Sequence, residues 1–150
     1  MLIELNIRNI ALIESLRIEF TRGLNVLTGE TGAGKSIVVD CVNLALGGRA
    51  ERDLIRTGEE RGGVRALFDV SGNPAAEAYL AELGVETQDG LAEVSREITR
   101  SGKNVCRVNG AMLLLSQIKT FTGMLVDVHG QHEHQALMDP ARHIEFLDSF

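Results

Sequence analysis

Long apolar runs are missing from this sequence. No stretch approaches the roughly 20 consecutive apolar residues that a membrane-spanning helix requires. Glu4 and Arg8 interrupt the aliphatic residues at the start of the chain, which therefore has no signal-peptide pattern. With 44% hydrophobic residues in 150, the chain still has enough apolar content for one domain with a buried core. We therefore expect one soluble, cytoplasmic unit without a membrane partner.

Cysteine is scarce as well. Cys41 and Cys106 are the two cysteines, and they lie far apart without a CxxC pair. This usage is typical of small apolar residues in a reducing compartment and argues against a structural disulfide.

An excess of positive charge is also absent, because the formal net charge is −6. This value argues against a uniformly basic nucleic-acid-binding surface, although it allows local patches. One arginine cluster is present, formed by Arg49, Arg52, Arg56, Arg61 and Arg65.

The apolar pattern predicts an α/β fold in which strands surround a buried helix. Period-two alternation indicates strands, and a broad apolar surface followed by glycine indicates a helix with a defined end. In the first half, the pattern predicts strands at Leu2–Ile7, Ser15–Phe20 and Gly23–Thr28 and a helix at Lys35–Leu46. After a polar loop at 49–63, it predicts strands at Val64–Val70, Ala92–Thr99, Asn104–Val108 and Met124–Val128 and a helix from Pro74 to Gly84. Residues 141–150 resemble an amphipathic helix without a stop signal, so we expect the chain to be cut off within an element.

A phosphate-binding loop is the strongest motif. The segment Gly29-Glu30-Thr31-Gly32-Ala33-Gly34-Lys35-Ser36 fits GxxxxGK[ST] between a predicted strand and a predicted helix, which is the context that the motif requires. Its glycines let backbone amides turn towards phosphates. Lys35 would contact the β- and γ-phosphates, and the Ser36 hydroxyl would be a magnesium ligand. The motif therefore predicts ATP with Mg²⁺; the alternative is a chance glycine-rich turn.

Beyond this motif, the chain resembles the head domain of the SMC-like ATPases, which belong to the ABC superfamily. The resemblance covers essentially all 150 residues, with IELNIRNIALIESLRIEF at the start, GLNVLTGETGAGKS, LGGRA after the helix and VHGQHEHQ near the end. It implies a nucleotide-binding sheet split between the two ends of a long chain, with a coiled coil between them. Residues 1–150 would then be an N-terminal lobe, with a mixed sheet plus an antiparallel β-subdomain, truncated before the coiled coil.

The resemblance also implies a function and a set of partners. It implies an ATPase acting in DNA double-strand break repair and recombination, associated with the nucleoid. ATP would be sandwiched between two heads of a homodimer that grips DNA, and the head would be completed by the C-terminal lobe of the same chain.

Site residues outside the loop follow from the resemblance too. It implies that Gln131 contacts magnesium and the attacking water, as a catalytic residue beside Lys35. It places Asn9, in the first inter-strand turn, near the adenine. It associates the arginine-bearing loop with DNA through Arg49, Arg52 and Arg56.

Each of these assignments has an alternative. Three histidines around Gln131 could meet a transition metal, although their spacing is not that of HExxH and no cysteine lies nearby; the segment could also be purely structural. The arginine loop could be a solvated loop whose arginines pair with neighbouring carboxylates. Asn9 could be an ordinary turn asparagine. The residues involved are His129, His132 and His134 for the metal, and Glu51, Asp53, Glu59 and Glu60 for the ion pairs.

Two parts of a hydrolytic ATPase of this kind are absent from the sequence. There is no LSGG-like signature segment and no apolar strand that ends in Asp-Glu. We therefore expect nucleotide contacts without the hydrolytic base, and a fragment that is inactive alone. Three other classes of protein stay open. One is an ABC-transporter nucleotide-binding subunit, which usually has an aromatic before the phosphate loop to stack on adenine, and Phe20 is the only aromatic there. The others are a small-metabolite kinase, which the antiparallel region 64–108 disfavours, and a non-hydrolytic nucleotide sensor.

Overall fold

A six-stranded antiparallel sheet forms the centre of the protein in this computed structural model, which describes residues 1–29 and 34–128. Three α-helices pack against the sheet and each other. The strands are β1 (Leu2–Ile10), β2 (Ile13–Glu19), β3 (Arg61–Asp69), β4 (Leu91–Thr99), β5 (Asn104–Val108) and β6 (Ala111–Met112), and the helices are α1 (Lys35–Ala45), α2 (Pro74–Glu82) and α3 (Leu115–Gly123). The strand order is β2-β1-β3-β4-β5-β6, and every neighbouring pair runs antiparallel.

Period-two alternation decides which face of the sheet is buried. Leu5 and Ile7 in β1 and the corresponding residues of the next strands point to one face, where they form the core. The core residues of the other central strands are Val64, Ala66, Phe68, Ala92, Val94, Ile98, Cys106 and Val108. Helix α1 covers this face with Cys41, Leu44 and Ala45, and contacts β1, β3 and β4. The α/β class is therefore confirmed.

A tight turn joins β1 to β2, and the polar loop is bound to it. Ile10 pairs with Ile13, so the turn consists of Ala11 and Leu12. The Ala11 amide donates to the Leu54 carbonyl at 2.7 Å. The loop that follows α1 is therefore fixed to the hairpin, and it contains a short 3-10 helix at Arg52–Leu54 that the sequence did not predict.

Two predicted strands are not formed. Residues 23–28 pair with no strand among the described residues, and Leu24 and Val26 are 90% and 68% exposed. Residues 124–128 form a turn and an irregular segment. A strand needs a neighbour for its backbone amides, and an apolar pattern alone cannot supply one. The resemblance implied a mixed sheet, but every strand pair in the described sheet is antiparallel. A mixed sheet would require a parallel neighbour for the 23–28 segment.

Other predictions agree with the structure within a few residues. The helices at 35–46 and 74–84 and the strands at 92–99 and 104–108 are confirmed. Strand β3 begins at Arg61 rather than Val64, because Gly62 and Gly63 pair with β4 despite their lack of side chains. Helix α3 was not predicted. No helix in the described ranges is long and apolar enough to cross a bilayer.

Candidate nucleotide-binding site

The two ends of the predicted phosphate loop lie in contact. Lys35 donates from Nζ to the carbonyl oxygen of Gly29, six residues earlier, so the chain closes into a loop between them. Gly34 has φ +97°, in the left-handed region that favours glycine, and it is the N-cap of α1. Gly34, Lys35 and Ser36 thus lie at the start of α1, with Gly29 in contact with Lys35. Glu30, Thr31, Gly32 and Ala33 lie outside the described residues.

The N-terminus of α1 is suited to an anion. The helical ladder starts with the Val38 amide donating to the Gly34 carbonyl at 3.1 Å. The amides of Lys35, Ser36 and Ile37 therefore have no partner within the helix. No side chain caps this end, and no acidic residue occupies the first turn. Free amides, the helix dipole and one ammonium all favour negative charge here, and the exposed Ser36 hydroxyl adds an oxygen donor of the kind that magnesium takes.

The other end of α1 is held by two side chains from the rest of the fold. Arg96 of β4 donates from Nη1 to the carbonyl of Leu44 at 2.9 Å and to that of Gly48. Thr122 of α3 donates from Oγ1 to the carbonyl of Leu46 at 2.9 Å. Burial lowers the pKa of the Arg96 guanidinium, and the nearby Cys106 opposes this effect. Neither anchoring side chain was predicted from the sequence, although Arg96 lies at a position of β4 where the alternation calls for an apolar residue.

Asn9 lies within β1, one residue before its end, and not in the turn. Its φ is +51°, and its Nδ2 donates to Glu59 Oε2 at 3.1 Å and to the Arg61 carbonyl at 3.4 Å. The predicted turn position was therefore wrong, because the turn is the two-residue type at Ala11-Leu12. The side-chain Nδ2 of Asn9 therefore joins β1 to the start of β3, and the side-chain Oδ1 has no partner among the described residues.

The three arginines of the predicted DNA loop differ in their surroundings. Arg49 is 88% exposed and reaches Glu51 at only 3.9 Å. The Arg52 guanidinium lies against Gly102, whose added side chain would come within 2.7 Å of it. Arg56 donates from Nη1 to the Leu12 carbonyl at 2.6 Å and so holds the hairpin turn. Within residues 1–29 and 34–128, neither Arg52 nor Arg56 forms an ion pair, so the extensive pairing with carboxylates is not observed.

The predicted catalytic glutamine and its histidine neighbours lie outside the described residues. This applies to Gln131, His129, His132 and His134. Among the residues that the structure describes, no cluster of three or more His, Cys, Asp or Glu side chains could hold a metal ion.

A groove of about 660 Å³ lies elsewhere, between the α2–β4 connection and the β5–β6 turn. Its rim carries Glu86, Asp89 and Glu93. None of the predicted site residues lines it, and its carboxylates would repel a nucleoside triphosphate. The groove therefore does not coincide with the predicted nucleotide site.

Comparison with known proteins places the chain in a family. A family model described as an AAA domain matches residues 4–135. The chain belongs to the AAA-domain family. It is also similar to the DNA repair protein RecN of Halalkalibacterium halodurans, with 44% identity over all of this chain and 26% of that protein. The chain thus spans about a quarter of the length of this curated relative, and the similarity to RecN confirms the resemblance that the sequence predicted.

Solved structures agree with this AAA-domain assignment at the level of fold. The Smc head domain from Pyrococcus furiosus, solved with an extended coiled coil and bound to the C-terminal domain of ScpA, has a TM-score of 0.71 at 18% identity, covering 93% of this chain and 38% of that one. An SMC ATPase structure concerned with ATP-driven dimerization and DNA-stimulated activation has a TM-score of 0.69 at 19% identity, covering 98% and 97%. The predicted SMC-head fold type is therefore confirmed.

Proposed function

We propose that residues 29–36 hold the phosphates of ATP with Mg²⁺, as the N-terminal part of an SMC-like ATPase head acting in DNA double-strand break repair and recombination. The observation that carries the proposal is the closed loop between Gly29 and Lys35, set on the uncapped N-terminus of α1. The similarity to RecN supports the repair role. The protein would act in the cytoplasm, in association with the nucleoid.

Each group of the site has a role that its chemistry allows. The amides at the start of α1 would donate to phosphate oxygens, and Lys35 would neutralise the β- and γ-phosphates. The Ser36 hydroxyl and Gln131 would hold magnesium, which supplies charge neutralisation when it is bound. Gln131 would also orient the attacking water. Asn9 would face adenine, where its side-chain Oδ1 is an acceptor for the exocyclic amine.

We further propose that this chain forms half of an active site. No Asp-Glu strand end occurs in the sequence, so hydrolysis would need a C-terminal lobe of the same protein. The unpaired, exposed segment 23–28 supports this arrangement, because a strand from that lobe would satisfy its backbone and cover Leu24 and Val26. A second copy would close over ATP, and ATP-driven dimerization is a property named for the similar SMC ATPase.

The test of the nucleotide site is Lys35→Ala in the full-length protein. Because the lysine's partner would be the ligand, ATP affinity should fall roughly 100-fold with little change in thermal stability. Lys103→Ala is the matched control. Lys103 is an exposed lysine in the β4–β5 turn, and its ammonium has no partner among the described residues. Equal affinities of the two variants in calorimetric titration would remove the phosphate-loop role.

The same protein separates hydrolysis from sensing. Gln131→Ala should retain ATP affinity and lose most ATP hydrolysis. If the wild-type full-length protein binds ATP but never hydrolyses it, with or without DNA, the nucleotide-sensor function replaces the ATPase.

DNA contact by the loop after α1 can be measured by its salt dependence. Arg49 and Arg52 are the better candidates, because Arg56 is already engaged by the hairpin. Replacing each by alanine should reduce the slope of log affinity against log salt by about one unit per lost phosphate contact. Arg17→Ala is the control, because Arg17 pairs with Glu4 and Glu19. An unchanged slope would leave a solvated loop.

A further inference from the structure

Arg96 is the most unusual buried side chain among the described residues. It is 2% exposed and lies on the covered face of β4, where Val94 and Ile98 are its apolar neighbours. No carboxylate pairs with it in the described structure. A buried guanidinium costs free energy unless its donors are satisfied, so its partners indicate what it does.

Two of its three partners lie at the C-terminal end of α1. Arg96 Nη1 donates to the carbonyls of Leu44 and Gly48, while Nε donates to Asn104 Oδ1 at 2.9 Å. Nη2 is buried without a partner in the described part of the chain. Helix α1 has no basic residue in its own last turn, so Arg96 supplies the positive charge that a helix C-terminus favours.

Helix α1 has its polar side-chain anchors at this end. Its buried face runs from Val38, which is 7% exposed, to Cys41, Leu44 and Ala45, which are each 1% exposed. The start has no side-chain cap, and the segment leading into it pairs with no described strand. The helix has 11 residues, so Lys35 lies roughly 16 Å along the axis from the anchored end.

The anchor also fixes the turn that follows. The Gly48 amide donates to the Asn43 carbonyl at 2.7 Å, and an added Cβ on Gly48 would come as close as 2.7 Å to the same oxygen. An added Cβ on Gly47, with φ +92°, would come within 2.7 Å of Lys119 Cγ. The contacts of Arg96 and the close packing of this turn therefore restrict the position of the C-terminal end of α1. A small rotation there displaces the far end of a rigid helix by a larger distance.

We propose that Arg96 is a positioning residue for the nucleotide site: its buried contacts with Leu44 and Gly48 set the axis of α1 and thereby the location of Lys35 and Ser36. This inference rests on the proposed nucleotide binding. It assigns Arg96 no contact with ATP, so the residue acts through the helix alone.

Two variants of the full-length protein test this role. Arg96→Met keeps the approximate volume and removes the charge and all donors, and Arg96→Lys keeps the charge with a shorter reach. Titrated with ATP and Mg²⁺ well below the thermal midpoint, Arg96→Met should bind about tenfold more weakly than wild type, and Arg96→Lys should fall between them. Thr122→Val removes the second anchor and should weaken binding in the same direction.

A structural role would have a different signature. Leu80→Val, a buried change on α2, is the control: it should lower thermal stability while the folded protein keeps wild-type ATP affinity. A double-mutant cycle gives the sharper readout. Because Arg96 acts through Lys35, Arg96→Met should weaken binding less in a Lys35→Ala background than in wild type.

The outcomes separate the two proposals. If wild type does not bind ATP, or Lys35→Ala leaves affinity unchanged, the nucleotide site itself fails. If Lys35→Ala weakens binding but folded Arg96→Met and Arg96→Lys bind as wild type does, only the positioning role is overturned. Failure of both Arg96 variants to fold would assign Arg96 to stability alone, and full additivity in the cycle would contradict its action through Lys35.

Discussion

At the scale of single residues, burial changes the chemistry of the two cysteine thiols. Cys41 is 1% exposed on the covered face of α1, and burial, with a smaller contribution from the charge of Asp40, raises the pKa of its thiol to about 12. Burial also raises the pKa of Cys106, although Arg96 opposes this. Neither thiol is poised for chemistry, because the thiolate is the reactive form.

We predict that both cysteines react slowly with a thiol reagent at pH 8 in the native protein and rapidly in urea. The folded pKa of Cys41 lies above its ordinary 9.0. Its contribution to stability is therefore complete below pH 9 and is lost as the pH rises from 9 towards 12. The reaction rates of the two thiols are measured by labelling kinetics with and without urea, and Cys41→Ala leaves Cys106 as the only thiol. Two thiols that label quickly in the native state would contradict the buried placement.

Asn73 carries two interactions at the start of α2. Its Oδ1 accepts from the Ala76 amide at 3.1 Å as an N-cap, and its Nδ2 donates to the Met124 carbonyl at 2.7 Å. Asn73→Ala should lower the free energy of unfolding by about 1–2 kcal/mol in urea titration. Asn73→Asp keeps the cap and removes the donor, so it should lie between alanine and wild type. Equal stability of all three proteins would show that the cap contributes nothing.

At the scale of elements, β1 and β3 approach unusually closely at Gly62. An added Cβ there would come within 2.3 Å of the Asn9 carbonyl oxygen, which accepts the Arg56 amide at 3.0 Å. Gly62→Ala should therefore destabilise the protein by about 1–3 kcal/mol, as crowding in a packed region does. Gly72→Ala is the control, because nothing lies within 4 Å of its added Cβ. Chemical unfolding of the two variants side by side is the measurement, and similar midpoints would contradict the close approach.

The elements also show what the sequence could predict. Strand β5 was located to the residue, because its alternation is complete and Asn109-Gly110 follows it. The segment 23–28 was predicted as a strand from its apolar residues, yet pairing depends on a neighbouring strand, and the described residues provide none. Helix α3 was missed, since its apolar positions are few and its first residues follow a leucine run.

The same reasoning applies to the candidate site. The motif predicted the loop and Lys35 because phosphate recognition is encoded in adjacent residues. The anchor at the other end of α1 joins residues 44 and 96, and such a long-range contact leaves only one trace in the sequence, an arginine among apolar strand positions.

At the scale of the whole molecule, the apolar segment 23–28 is not covered by the described residues. Leu24 is 90% exposed and Val26 is 68% exposed next to the phosphate loop. In the isolated 150-residue chain, Leu24→Ser with Val26→Thr should reduce self-association and binding of an apolar dye, because exposed apolar patches promote both. Leu12→Ser is the control, since Leu12 is 76% exposed at the hairpin tip, away from this segment in sequence.

The full-length protein should respond in the opposite direction. If a second lobe covers the segment, the double substitution should lower its thermal stability, while Leu12→Ser should not. A full-length protein that tolerates the double substitution as well as the control would show that the segment stays exposed.

Amide hydrogen exchange with ATP and Mg²⁺ tests the central claim most directly. The site requires that the phosphates accept hydrogen bonds from the amides at the start of α1, at residues 35–37. Exchange in peptides covering 29–38 should therefore slow on adding the nucleotide to the full-length protein, and should not slow in Lys35→Ala. Saturating ATP that protects other segments but leaves 29–38 unchanged would contradict the account.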